Sequence, residues 1–285
     1  YTLTDKADGI RKILAINETG LWLMFPPYEY NLVRRSRDDK PLSQLSGIIY
    51  EGEYIPESAM TRKEDGSFVN PLYGERRHVF LIFDCISTIT IQGRNIGVLD
   101  VKDLPHSSRM KFANEIAEKW NKNYLLLETK KFSPLTMNDF FKSTGTRIRN
   151  MNQLPYVNDG LMFIPDWATY NQSGTKIFKW KPPGKLSVDL AVRVGNDGEI
   201  ELYAGDGKNL VPWKGNARYP LAWSKGVNPA DPLLIENGMV RNDTVVEFSF
   251  APLSNFEASD KRYVLVAERL RLHKLRPNHK RAVTN

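Results

Sequence analysis

The segment Lys6-Ala7-Asp8-Gly9-Ile10-Arg11 contains residues able to form a covalent bond to phosphorus. A lysine amine attacks phosphorus only as the free base, and an ordinary lysine pKa of about 10.4 leaves almost none of it at neutral pH. Nearby positive charge or desolvation must lower that value. Far downstream, Phe178-Lys179-Trp180-Lys181-Pro182 places two lysines at i and i+2. On a strand these share a face. Two ammonium groups aimed at one pocket would bind phosphates and push Lys6 toward its free base. Gly9 lets the chain turn tightly and a phosphate ester approach. Arg11 can donate hydrogen bonds to a ribose or a phosphate.

Carboxylates recur at matching places. Glu51-Gly52-Glu53-Tyr54-Ile55 ends an apolar run with an acid able to bind a ribose hydroxyl. Val79–Ile86 reads as a buried strand carrying Asp84, and an acid there must be paired, metal-bound or at the strand end. Asp159-Gly160-Leu161-Met162-Phe163 sets an acid before another apolar strand, where it could hold a divalent ion bound to phosphates. Each segment alone reads as a strand with charged ends. Their joint occurrence, in this order, is what chance does not readily supply.

These side chains need a scaffold, and the pattern is mostly strands. Leu14-Ala15-Ile16, Leu21–Phe25, Gly47–Tyr50, Val79–Ile86 and Thr88–Ile91 are short apolar runs rich in β-branched or aromatic residues. Asn17-Glu18-Thr19-Gly20 reads as a hairpin turn. The 3.6-residue spacing of Met110, Phe112, Ala113, Ile116, Ala117 and Trp120 predicts a helix over Ser107–Asn121, and a shorter helix is expected over Thr136–Thr144. Lys181-Pro182-Pro183-Gly184 breaks the chain and fits a hinge. Beyond it come short strands at Ser187–Val194, Glu199–Tyr203, Thr244–Phe250 and Tyr263–Ala267, with a hairpin turn at Gly195-Asn196-Asp197-Gly198. About 90 residues of such strands suit a small barrel of the oligonucleotide-binding type. The expected class is α+β: antiparallel sheets with flanking helices over 1–183, a β-barrel over 184–275, and a basic tail over 276–285.

The 285 residues are 41% hydrophobic, which is enough apolar material for a packed core. The net charge of +7 suits a polyanionic partner. No window approaches the ~18–20 apolar residues of a membrane-spanning helix, so no membrane partner is expected. Tyr1–Asp5 is not a signal peptide, and the absence of an initiator Met suggests excision from a longer polypeptide. The single cysteine, Cys85, excludes an intrachain disulfide and suits a reducing compartment.

The motifs resemble those of the covalent nucleotidyltransferase superfamily, which comprises mRNA capping guanylyltransferases and the ATP-dependent DNA and RNA ligases. Lys6–Arg11 is similar to the nucleophile motif, Glu53 to the ribose-binding motif and Phe80–Ile86 to the base-stacking motif. Asp159–Phe163 is similar to the metal-associated motif and Lys179–Pro182 to the paired-lysine motif. Arg269–Lys274 resembles the last motif, with His273 where the family usually has Asp. Phe83-Asp84-Cys85-Ile86, Lys179-Trp180-Lys181-Pro182 and Pro277-Asn278 resemble the capping versions, particularly those of large cytoplasmic DNA viruses.

The resemblance implies that Lys6 takes GMP from GTP and passes it to the 5′-diphosphate end of RNA. Lys179 and Lys181 would act as catalytic cations. Asp8, Gly9, Arg11, Glu53, Phe83, Arg271 and Lys274 would bind the nucleotide, with Phe83 rather than Phe80 on the base. Asp159 would hold Mg²⁺ or Mn²⁺. An arginine among Arg34, Arg35 and Arg37 is a further candidate for the triphosphate. The resemblance also implies triphosphatase and methyltransferase modules in the same polypeptide, and a location in the host cytoplasm or virion. Two other readings stay open. An ATP-dependent ligase shares the lysine chemistry, and a domain that has lost activity would bind nucleic acid without it.

Overall fold

The structure is a computed structural model that describes residues 1–25, 29–75, 78–92, 95–120, 124–173, 176–182, 185–195, 199–206, 209–213, 221–223, 243–252 and 263–271. The chain divides into two compact units, Tyr1–Trp180 and Lys181–Asn285.

The first unit is built on two sheets. The larger has seven strands: β1 (Ile10–Asn17), β2 (Gly20–Phe25), β3 (Glu29–Arg35), β4 (Ile49–Ile55), β5 (Val79–Gln92), β6 (Asn95–Asp100) and β7 (Leu126–Thr129). Its order is β3-β2-β1-β4-β5-β6, with β7 added parallel to β5. The smaller has four strands: β8 (Thr2–Ala7), β9 (Ser133–Pro134), β10 (Asn158–Ile164) and β11 (Phe178–Trp180), in the order β11-β10-β8-β9. Asn17 closes the expected hairpin: it pairs with Gly20, and its side-chain oxygen accepts from the Thr19 N–H at 2.9 Å. The runs at Val79–Ile86 and Thr88–Ile91 are one continuous strand, because no proline or glycine interrupts them.

Helix α1 (His106–Lys119) covers the large sheet and buries Met110 and Ala113 against Leu14, Tyr50, Phe80 and Ile82. It starts one residue before the expected range and stops two before its end. Helix α2 (Phe140–Arg149) begins later than the expected Thr136 and runs past Thr144. The Thr136 hydroxyl accepts from the Asp139 N–H at 3.3 Å and donates to the Asp139 carboxylate at 3.0 Å. This local turn holds the chain out of the helix until Phe140.

A second apolar cluster of Ala7, Ile55, Met60, Tyr73, Val79, Leu81 and Tyr156 joins the two sheets. It fixes the strand carrying Lys6 against the strands carrying Glu53 and Phe83. No helix among the described residues is long and apolar enough to cross a membrane.

The second unit holds a six-stranded sheet: β12 (Ser187–Val194), β13 (Ile200–Asp206), β14 (Asn209–Pro212), β15 (Leu221–Trp223), β16 (Thr244–Pro252) and β17 (Tyr263–Arg271). Its order is β14-β13-β12-β16-β17-β15, antiparallel except for the last pair. Val188, Leu190, Val192, Leu202, Val246 and Phe248 form its own core.

Candidate active site

A cleft of about 680 Å³ lies in the first unit, between the small sheet and one face of the large one. Lys6, Met162 and Lys179 come from the small sheet, and Arg11, Glu53 and Phe83 from the large one. Glu51, Asp84, His106, Lys130 and Tyr170 also line it.

Lys6 sits on β8 opposite Gly160, and its Nζ donates to both Asp159 oxygens at 2.7 and 2.9 Å. The contact comes from a bulge. Lys6 pairs with Gly160 and Ala7 with Asn158, so Asp159 is the extra residue on β10. A bulge turns a side chain out of strict alternation. The sequence assigns Asp159 to a metal; here its oxygens hold the lysine. Among the described residues no group of three or more His, Cys, Asp or Glu side chains is placed to hold a metal ion. A Mg²⁺ ion bound chiefly through phosphate oxygens and water needs only one or two carboxylates, so Asp159 fits that role.

Phe83 is placed by the same device. Glu51 pairs with Asp84 and Gly52 with Ile82, leaving Phe83 as the extra residue on β5. Phe83 is half-buried and lines the cleft, whereas Phe80 is wholly buried in the core. Gly52 allows close strand approach here. A Cβ on it would lie 2.5 Å from the Leu81 carbonyl oxygen and 2.5 Å from the Phe80 ring. Gly9 does likewise, with the Tyr54 carbonyl oxygen at 2.5 Å and the Glu53 Cγ at 2.7 Å from its would-be Cβ.

Arg11 pairs with Glu53 in the β1–β4 register, but its guanidinium is bound to the buried Glu51 carboxylate. Tyr170 hydrogen-bonds the same acid; burial first, then Glu51, push its phenol up to about 12. Glu53 accepts from the Gly9 N–H. Desolvation raises its pKa above the ordinary carboxylate value, against the lowering effects of Lys130 and Lys6. Lys179 pairs with Met162 across β10–β11 and lines the cleft from an open strand edge. Desolvation, then the neighbouring Lys6 and Arg11 charges, lower its pKa.

The remaining predicted residues are not among the described residues that line this cleft. Asp8 is exposed and does not line the cleft, while its backbone N–H donates to the Val157 carbonyl at 2.8 Å. Lys181 falls in the second unit. Arg271 ends β17, and Lys274, His273 and the 276–285 tail lie outside the described residues, as do Pro183 and Gly184. Arg34 and Arg35 are on the edge strand β3 and Arg37 follows it, and none of the three lines the cleft.

Three groups around the cleft are not singled out by the sequence. Lys130 is buried, donates to the Asp5 carbonyl at 2.6 Å and lies 3.6 Å from the Asp5 carboxylate. Desolvation lowers its pKa. Arg109, fully buried on α1, grips both Asp84 oxygens at 2.6 and 2.8 Å. His106 starts α1 and donates from Nε2 to the Phe83 carbonyl at 2.9 Å. A signal for Arg109 was present but not used: it shares the helix face of Ala113 and Ile116, where a charge demands a buried partner. Lys130 and His106 carry no comparable signal.

The mRNA capping enzyme catalytic domain model matches residues 1–183. This chain belongs to the mRNA capping enzyme family. Among curated proteins, the mRNA-capping enzyme subunit alpha of Kluyveromyces lactis is 24% identical over 217 residues, covering 67% of this chain and 42% of the relative. That of Saccharomyces cerevisiae is 26% identical over 215 residues, covering 67% of this chain and 42% of the relative. The matched segment thus spans less than half the length of these relatives. Among solved structures, a mycobacterial DNA ligase D complexed with ATP and MES has 13% identity and a TM-score of 0.51. The match covers 96% of this chain and 90% of that one. The fold of this chain is therefore sheet-rich and ligase-like. The relatives found are yeast proteins, and the viral subtype rests on sequence resemblance alone.

Proposed function

We propose that this domain is an mRNA guanylyltransferase. In the first step the Lys6 Nζ lone pair attacks the α-phosphorus of GTP. A P–N bond forms, the P–O bond to pyrophosphate breaks, and the lysine loses a proton. In the second step a terminal oxygen of 5′-diphosphate RNA attacks that phosphorus. A P–O bond forms, the P–N bond breaks, and the proton returns to Lys6, leaving a 5′–5′ triphosphate cap.

The observation that carries this reading is that Lys6 and Lys179, far apart in sequence, line one cleft with Arg11, Glu53 and Phe83. A second cation in that cleft offsets charge developing on the α-phosphate. Arg11 and Glu53 would hold the ribose and Phe83 would stack on the base. Lys181, Arg271 and Lys274 are assigned to the phosphates, and Asp8 to the nucleotide, by family resemblance. Asp159 would hold Mg²⁺ or Mn²⁺, which would neutralise phosphate charge and draw the carboxylate away from Lys6. The β-strands of the second unit are proposed to be the oligonucleotide-binding barrel that follows the catalytic domain, with Pro182–Gly184 as its hinge. Triphosphatase and methyltransferase modules in the same polypeptide, and a cytoplasmic setting, belong to the same proposal.

Incubation with Mg²⁺ and α-labelled GTP, followed by denaturation, tests the reading. A labelled, acid-labile, alkali-stable adduct is expected, absent in Lys6→Ala and discharged by 5′-diphosphate RNA. Labelling by ATP instead would convert the assignment to a ligase.

A further inference from the structure

The sheet face that carries Arg11 and Glu53 does not end at the cleft. Side chains two apart on a strand share a face. On β1 the cleft residue Arg11 is followed on that face by Ile13 and Ala15. On β4 the cleft residues Glu53 and Glu51 are followed by Ile49, because Arg11 pairs with Glu53, Ile13 with Glu51 and Ala15 with Ile49. Ile13 and Ala15 pair in turn with Met24 and Trp22 on β2, and these pair with Tyr30 and Leu32 on β3. One surface thus runs from the cleft to the edge strand.

A groove of about 480 Å³ lies on that surface, lined by Ala15, Trp22, Met24, Tyr30 and Ile49 among others. Its aromatic residues are open to solvent: Tyr30 is 68% exposed and Trp22 half-buried. The two rings meet edge-to-face with centroids 5.7 Å apart. Trp22 Nε1 donates to the Asn17 side-chain oxygen at 3.2 Å and to the Thr19 hydroxyl at 3.1 Å, which holds the indole in place. Beside the groove, Trp22 and Leu32 share a second hollow with the exposed Arg35 and Arg37 and one acid, Glu18. Arg34 turns to the other side, its guanidinium 5.6 Å from the Tyr124 ring. Two of the three arginines singled out in the sequence therefore border the aromatic groove.

An open aromatic and apolar surface of this kind calls for something to cover it. Single-stranded nucleic acid fits its chemistry. Bases of any sequence stack on aromatic rings, and arginines take the phosphates. The position fits as well. Ala15 lies four residues from Arg11, roughly 13 Å along the strand, a distance that a short run of nucleotides spans. We propose that the Trp22–Tyr30 groove is the docking surface for the acceptor RNA. It holds the nucleotides that follow the 5′-diphosphate end, with bases on Trp22 and Tyr30 and phosphates on Arg35 and Arg37. The inference rests on the guanylyltransferase reading and concerns its second step alone.

The test starts from enzyme already carrying lysyl-GMP and follows transfer to two acceptors, a nucleoside 5′-diphosphate and a 5′-diphosphate RNA of roughly ten nucleotides. The readout is the acceptor concentration that gives half-maximal transfer. The wild type should need less of the RNA than of the nucleoside diphosphate. Trp22→Ala and Tyr30→Ala should each raise the requirement for RNA at least about fivefold, the loss of one stacked base, without changing it for the nucleoside diphosphate. Trp22→Phe, which keeps a stacking face, should restore most of the advantage. Arg35→Gln combined with Arg37→Gln should weaken the salt dependence of the RNA reaction. A wild type indifferent to acceptor length would overturn the proposal. So would Tyr30→Ala with an unchanged RNA requirement, or variants impaired equally with both acceptors. Each of those results leaves the Lys6 adduct intact, whereas a wild type that forms no adduct with GTP defeats the parent reading instead.

Discussion

Asp84 sits one residue beyond Phe83, and what surrounds it decides whether the cleft floor holds its shape. Its carboxylate is gripped by the fully buried Arg109, which also donates to the Leu104 and Ala168 carbonyls at 2.5 and 2.8 Å. Removing one partner of such a pair strands the other charge in a dry interior. Asp84→Asn should therefore destabilise the fold by about 3–5 kcal/mol in urea unfolding. His106, bonded to the Phe83 carbonyl next door, gives a second residue-scale expectation. Burial depresses its pKa; Asp84, Asp166 and the Phe83 carbonyl oppose that shift, and Arg109 adds to it. Between the lowered folded value and the ordinary one near 6.5, the unfolded chain binds more protons. Stability is then complete above the ordinary value and declines as pH falls through this window. From about pH 7 to about pH 5 the wild type should lose stability relative to His106→Gln. A denaturant midpoint that moves equally in both proteins would count against it.

At the scale of elements, the two bulges explain what was and was not readable. Alternation and apolar runs show that Lys6, Glu53, Phe83 and Asp159 lie in or beside strands. Strict alternation fails at the two places that matter. Asp159 and Phe83 each occupy an unpaired extra position, and a one-residue insertion in the register depends on a partner strand distant in sequence. Lys130 follows the Leu125–Thr129 run with no periodicity that would mark it as buried. The local turn at Thr136–Asp139 likewise displaced the expected start of α2. Gly9 is legible from the sequence as a point of close approach for a nucleotide; the approach the structure shows is to β4, a strand distant in sequence. A methyl there would press on the Tyr54 carbonyl oxygen and the Glu53 side chain. Gly9→Ala should cost about 1–3 kcal/mol of stability, as overpacking of a tight contact does. It should also reduce adduct formation more than a distant substitution of equal destabilisation, because Glu53 is the side chain it displaces.

The apolar clusters partition by sequence. Those of the catalytic sheets draw only on residues before Trp180, and that of the six-stranded sheet only on residues after Lys181. Each unit therefore carries a core of its own, the condition for folding independently. A fragment of residues 1–180 should fold and unfold cooperatively, and the whole chain should show two thermal transitions, one matching the fragment's. The fragment also dissects function. It retains Lys6, Arg11, Glu53, Phe83, Asp159 and Lys179 but lacks Lys181, Arg271 and Lys274. The residues proposed to contact ribose and base are thus kept while the cations proposed for the phosphates are lost. Losing contacts made mainly in the transition state lowers kcat, whereas losing contacts shared with the ground state raises KM. The fragment should consequently bind GTP within about threefold of the whole chain and form the lysyl-GMP adduct at least about tenfold more slowly. Equilibrium binding of GTP and single-turnover labelling measure the two quantities separately. Equal adduct rates in fragment and whole chain would remove the second unit from the chemistry and leave the cleft in the first unit sufficient for the first step.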